Sequence, residues 1–185
     1  MPMTEKNKLQ LNHWNTLLNT ECKVYRIGKN YVYPIFKNAT TSLYQVHDEV
    51  LHNQEIAQCN NIHVLIRDPA DRFVSGINTY IKKHNMKIEQ AMGLIKEGKL
   101  IDRHFSPQLV WLLHLRVFYN GKVTLRALEN IADYCKVHRN KSDSKIKVEV
   151  PSRFVSVDLE LVKYFEQSVS LDKIIRECRS ALSKA

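Results

Sequence analysis

The stretch YVYPIFKNATTSL, residues 31–43, decides how this chain reads. Its apolar half, Tyr31 to Phe36, has the composition of a strand, a polar break follows at Lys37, and a helical pattern starts at Thr40 or Thr41. A strand, a tight loop and a helix start in that order gather unpaired backbone N–H groups and the positive end of a helix dipole at one point. Lys37 adds a full charge there, the backbone of Asn38 and Ala39 adds amides, and Thr40, Thr41 and Ser42 add hydroxyl donors. Residues 37–42 are therefore a candidate grip for a phosphate or sulfate. They are not a Walker A loop, G-x-x-x-x-G-K-[ST], because here the lysine comes first.

A second anion site is expected in IHVLIRDPADRFVSGINTY, residues 62–80. Ile62 to Ile66 reads as a short buried strand that delivers Arg67 to its end, where ligands of open α/β sheets collect. Asp68 and Pro69 are helix-start signals. Ser75 falls early in that helix, facing back toward Arg67, and a fixed guanidinium beside a hydroxyl binds anions well. Arg72 either joins this pair or makes a surface salt bridge, and the sequence leaves both open.

Two anion sites on neighbouring strand-to-helix junctions call for a ligand with two separated anionic groups. The chain resembles the PAPS-dependent sulfotransferases, and most closely their carbohydrate sulfotransferase branch. Lys37 to Thr41, KNATT, is similar to the family's Lys-x-[Gly/Ala]-[Ser/Thr/Cys]-[Ser/Thr] loop for the 5′-phosphosulfate. Arg67 to Ser75, RDPADRFVS, is similar to its Arg-[Asp/Asn]-Pro-x-x-Arg-[Phe/Leu]-x-Ser segment for the 3′-phosphate. HFSPQ at His104 to Gln108, HRNKS at His138 to Ser142 and LENI at Leu128 to Ile131 resemble further motifs of the branch. The likeness covers roughly residues 24–170 and is strongest before residue 80.

The resemblance implies an α/β fold of P-loop-like sulfotransferase type, a small mostly parallel sheet flanked by helices. It implies transfer of a sulfuryl group from 3′-phosphoadenosine 5′-phosphosulfate, without a metal, to the hydroxyl of a carbohydrate or other small acceptor. Lys37 would then act on the leaving phosphate, the amides and hydroxyls of residues 38–42 would hold the 5′ end, and Arg67 and Ser75 would hold the 3′-phosphate. Such a reaction also needs a proton acceptor titrating near working pH, which favours histidine. His104, placed just before a helix start, is the candidate, with His47, His52 and His63 behind it.

Composition agrees with a single domain, residues 1–185, and a hydrophobic share of 44% supports a full core. With 28 Lys+Arg against 19 Asp+Glu, the net charge of +9 favours anionic partners. Charge alone would suit nucleic acid, but the paired motifs argue against it. No basic region adjoins a long apolar run at the N-terminus, and nothing approaches the roughly 18 apolar residues of a membrane span, so a soluble cytoplasmic chain is expected. Cys22, Cys59, Cys135 and Cys178 follow no metal spacing and read as reduced thiols.

Residues 1–20, with Leu9, Leu11, Trp14, Leu17 and Leu18, predict an N-terminal helical extension. Cys22 to Phe36 predicts a hairpin turning at Gly28 to Asn30, although Pro34 sits awkwardly in a strand. Leu43, Val46, Val50 and Leu51 predict one helix from Thr41 to Leu51, with Asp48 and Glu49 solvated. Helices follow from Pro69 to the basic run Lys82 to His84, over Ile88 to Lys96, and beyond Ser106 as N-cap and Pro107 as first helical residue, and then a strand KVTLRA. Residues 136–153 form a basic loop, a lid over the nucleotide or a solvated linker, and two helices close the chain over 158–167 and 171–182.

Three other readings remain. A P-loop-type small-molecule kinase would share the fold class, but it requires Gly-Lys-[Ser/Thr] and an acidic metal ligand, and neither pattern is present. A non-catalytic basic module for nucleotides or nucleic acid explains the charge but not the spacing of Arg67 and Ser75. A sulfotransferase-like chain without catalysis would carry the same motifs.

Overall fold

The computed structural model describes residues 21–133 and 146–184. Strands β1 (Lys23–Ile27) and β2 (Asn30–Tyr33) form the expected hairpin, closed where Gly28 takes a φ of 58°. Strand β2 ends at Tyr33, so Pro34, which has no N–H for a ladder, lies just outside it. Helix α1 (Thr40–Val46) starts where expected but does not continue to Leu51. Residues Glu49–His52 form instead strand β3, antiparallel to β1 with Val50 opposite Tyr25. Asp48 and Glu49 tether this strand: Asp48 accepts the Gly28 N–H at 2.7 Å and Glu49 pairs with Arg26 at 2.9 Å. Both are exposed, as expected, but they secure the sheet edge and do not lie on a helix.

After a 3₁₀ segment (Asn53–Gln58) come β4 (Asn61–Ile66), α2 (Pro69–His84), α3 (Ile88–Lys96), α4 (Gln108–Phe118) and β5 (Lys122–Ala127). In α2, Asp68 caps the first turn by accepting the Asp71 N–H at 2.9 Å, Pro69 takes the first position, and Asn85 closes the helix in the left-handed region. Beyond β5 lie a 3₁₀ segment (Leu128–Asp133), α5 (Ser152–Leu159), another 3₁₀ segment (Glu160–Tyr164), β6 (Ser168–Ser170) and α6 (Leu171–Lys184). The first of the two expected terminal helices thus starts and stops earlier than its spacing suggests. Glu166, at a φ of 61°, turns the chain back so that β6 can pair with β5. The helix expected in residues 1–20, Cys135, the HRNKS motif and most of the basic loop lie outside the described residues.

The sheet order is β3-β1-β2-β4-β5-β6. The expectation of a mostly parallel sheet is corrected: among the described residues β2, β4 and β5 run parallel at the centre, and β3, β1 and β6 add antiparallel edges. Connection length accounts for β1-β2, where a tight turn can only return the strand antiparallel, and the parallel pairs are bridged by helices, whereas β3 and β6 reach the edges antiparallel across longer connections. Central β4 is buried on both faces, as its unbroken apolar run requires. Ile62, Val64 and Ile66 join the core beneath α4 and α6, and Leu65 joins Leu43 of α1, Leu128 and Ile131 on the other side. A third cluster packs α2 and α3 through Phe73, Ile77, Ala91 and Ile95 against Phe105 and Phe154. Cys22, Cys59 and Cys178 are buried free thiols. No described helix is long and apolar enough to cross a membrane.

Candidate active site

The three parallel strands end at Tyr33, Ile66 and Ala127, and the segments leaving these ends line one cleft of about 430 Å³. Its walls are residues 36, 37 and 39–42 after β2, Arg67 after β4, Leu128 after β5, Ser75 and Thr79 of α2, and His104. Small-molecule sites of open α/β sheets lie at this end of the strands and occupy roughly 300–1,000 Å³. No carboxylate is among the described lining residues.

The loop from Phe36 to Ala39 is held in an unusual conformation. Lys37 and Ala39 have φ of 72° and 60°, left-handed values that side chains with a Cβ adopt at a cost of about 1–2 kcal/mol each. Asn38 between them is 1% exposed and does not face the cleft. Its N–H bonds Ile35 O at 3.0 Å and its side-chain amide bonds Leu65 O at 2.8 Å and Gln108 Oε1 at 2.6 Å. Asn38 therefore braces the loop from behind, and its amide is not available to a ligand. The first bond of α1 runs from Leu43 N–H to Ala39 O, so the N–H groups of Thr40, Thr41 and Ser42 have no carbonyl within the helix. With seven residues α1 has a small dipole, and the charge in the cleft comes from side chains.

Lys37 supplies the first of these charges. Its ammonium donates to Thr79 Oγ1 at 2.8 Å, and the Thr79 hydroxyl donates in turn to Ser75 O at 3.1 Å. Burial, together with the like charges of Arg67, Arg72 and Lys82, holds the Lys37 pKa below its ordinary 10.5. Arg67 supplies the second. Its guanidinium donates to the Lys37 carbonyl at 2.9 Å, while its backbone N–H and C=O both pair with the Gln108 side chain, at 3.0 and 2.9 Å. The two anion motifs thus meet in one cleft.

Arg72 does neither of the two things its position allowed. It is 2% exposed and spans carbonyls of three segments: Phe36 O at 3.1 Å, Arg103 O at 3.3 Å and Ser106 O. Burial, opposed by Asp158 and reinforced by Arg67, draws its pKa down to about 10. Asp158, also 2% exposed, takes the N-cap role that Ser106 was expected to fill, accepting the N–H of Gln108 at 2.8 Å and of Leu109 at 3.0 Å. The Ser106 hydroxyl instead donates to Asp102 O at 2.9 Å, and Pro107, expected at the first helical position, precedes α4.

His104 reaches the cleft with a partner. Asp102 Oδ1 lies 2.5 Å from His104 Nδ1 and accepts the His104 backbone N–H at 2.8 Å. Burial would raise the Asp102 carboxyl, but hydrogen bonds from His104 and the charges of His104 and Arg103 outweigh it and hold the group below its ordinary value. A carboxylate at Nδ1 fixes the tautomer and leaves Nε2 as the basic nitrogen. Helix α2 sets the height of this segment at Gly76, where a Cβ would stand 2.3 Å from His104 O and 2.7 Å from His104 C. Gly76→Ala is therefore expected to destabilise the protein by about 1–3 kcal/mol, read as a lower midpoint in urea unfolding. An unchanged midpoint would show that the His104 segment yields freely.

The other histidines stand elsewhere. His47 is stacked on Tyr25, with ring centroids 5.2 Å apart, His52 binds Glu21, and His63 accepts from Arg126 at 3.0 Å. Three functional neighbours escaped the sequence reading. Thr79 was detectable, four residues after Ser75 on the same helical face, and Asp102 was detectable as a carboxylate two residues before a candidate base. Gln108 closes the HFSPQ motif, but nothing local showed that it ties Asn38 to Arg67. Among the described residues no three His, Cys, Asp or Glu side chains gather as a metal site would need. No known family model, curated protein or solved structure matches the chain.

Proposed function

We propose that the chain is a sulfotransferase of P-loop-like fold that moves a sulfuryl group from 3′-phosphoadenosine 5′-phosphosulfate to an acceptor hydroxyl. The observation that carries this reading is the convergence of Lys37, Arg67 and Ser75 on one carboxylate-free cleft, with a carboxylate-oriented histidine on its wall. Residues 40–42 offer amides and hydroxyls to the 5′ end, and Arg67 with Ser75 offers a guanidinium and a hydroxyl to the 3′-phosphate. His104 Nε2 takes the acceptor proton as the new O–S bond forms. Lys37 neutralises the phosphate oxygen released when the donor's S–O bond breaks. Positioning and charge stabilisation of this kind dominate transfers between oxygens.

The test is a thermal-shift comparison. Saturating adenosine 3′,5′-bisphosphate is expected to raise the melting temperature, by the equivalent of about 2.7 kcal/mol at one hundred times its dissociation constant. ATP with magnesium is expected to do much less, and Arg67→Ala to abolish the preference for the bisphosphate over 5′-AMP. A larger response to ATP with magnesium would favour a kinase, and a response to oligonucleotides alone a nucleic-acid module.

A further inference from the structure

Lys37 and Thr79 both line the cleft, and they reach it from different segments, Lys37 from the loop after β2 and Thr79 from α2. We infer that Thr79 is a positioning residue: its hydroxyl is the fixed post that keeps the Lys37 ammonium charged and in place for the leaving phosphate oxygen. The inference rests on the sulfuryl-transfer reading and adds to that centre a residue that acts through Lys37.

The proton of the Thr79 hydroxyl decides the role. A threonine hydroxyl has one proton and two lone pairs. The Thr79 proton goes to Ser75 O at 3.1 Å, so only lone pairs are left for Lys37 Nζ, 2.8 Å away. Bonding back to the carbonyl four residues earlier also fixes the rotamer of a side chain that is already stiff at χ1. The post therefore accepts, and it does not swing. Thr79 is the single hydrogen-bond partner of the ammonium among the described residues. An ammonium carries three donors, so two remain for the oxygens of a ligand.

Both ends of the lysine are held in this way. Its backbone stands at a φ of 72° with its carbonyl bonded by Arg67 at 2.9 Å, and Thr79 holds the tip. A four-carbon stem left free would sample many rotamers, and fixing its tip beforehand removes that entropy cost from the transfer step. Thr79 also works against the local field. The charged groups that bear on Lys37 are Arg67, Arg72 and Lys82, all cations, and together with burial they favour the neutral amine. A hydrogen bond accepted from the ammonium favours the charged form. Because the hydroxyl is oriented by Ser75 O, the turn of α2 that presents Ser75 to the cleft also sets where the lysine tip rests.

Thr79→Val, which keeps the shape and deletes the hydroxyl, and Thr79→Ser, which keeps the hydroxyl, separate this role from packing. The first measurement needs no substrate: acetylation of Lys37 by acetic anhydride across a pH series, resolved by mass spectrometry. Thr79→Val is expected to shift the Lys37 profile to lower pH and to label severalfold faster, and Thr79→Ser to follow the unaltered chain. The second is hydrolysis of 3′-phosphoadenosine 5′-phosphosulfate, a transfer to water that requires no particular acceptor. Its kcat is expected to fall about tenfold in Thr79→Val, as for loss of one hydrogen bond to a charged group, with little change in KM. An unchanged Lys37 profile in Thr79→Val, or a Thr79→Ser profile that moves with it, would overturn the inference whatever the activity. A shifted profile with unchanged kcat would overturn the positioning role. The expected labelling in a chain with no donor turnover would remove the sulfuryl-transfer reading and leave the hold of Thr79 on Lys37 standing.

Discussion

Lys37→Ala is expected to lower the rate of the proposed sulfuryl transfer by about 10²–10³-fold, the usual consequence of removing one group that stabilises charge developing in a transition state. The effect should fall mainly on kcat, because Arg67 and Ser75 remain to hold the other end of the donor. The amine is also titratable within reach: burial and the neighbouring Arg67, Arg72 and Lys82 lower its pKa from 10.5. A lowered lysine pKa means that the charged form is lost earlier as pH rises. Transfer by the unaltered protein should therefore fall on the alkaline side before free lysine would titrate, and the residual rate of Lys37→Ala should show no such fall. A variant with normal turnover would remove Lys37 from the mechanism.

Arg72→Met should have the largest effect on stability. The guanidinium satisfies carbonyls of Phe36, Arg103 and Ser106 and lies near the buried Asp158, whose pKa burial raises. Removing it strands one buried and two part-buried acceptors and takes away a cation whose charge offsets the burial of Asp158, a change of about 3–5 kcal/mol. For a chain of this length the melting temperature should drop by roughly 10 °C, measured by calorimetry. Arg72→Lys should rescue little, since an ammonium cannot span carbonyls from separate segments as the planar fork does. A loss of under about 1 kcal/mol would mean that water replaces the guanidinium at these carbonyls.

What could be read in advance was what is encoded locally. The strand, loop and helix start around Lys37, the Arg67 and Ser75 spacing and the Asp68-Pro69 cap depend on residues a few positions apart, and each stands where its pattern placed it. Helix against strand at Val50 and Leu51 was not decidable in this way, because four residues satisfy either period and the partner strand made the choice. Asp158 as the cap of α4 and Arg72 as a clamp between loops are relations across distances of tens of residues. Nothing in their flanking sequence announces them. Phe36 is of the same kind: the rings of Trp111 and His104 both pack near it, and only the fold makes one phenylalanine line two cavities.

The left-handed backbone at Lys37 and Ala39 bears on how such a chain would change over generations. Glycine suits both positions better on backbone grounds, so mutation unopposed by use would carry them there and gain thermal resilience on the way. A lysine is retained at such a site only while its amine has a task. If the proposed transfer is the task, descendants that had given it up would be recognised by glycine at position 37 and a higher melting temperature.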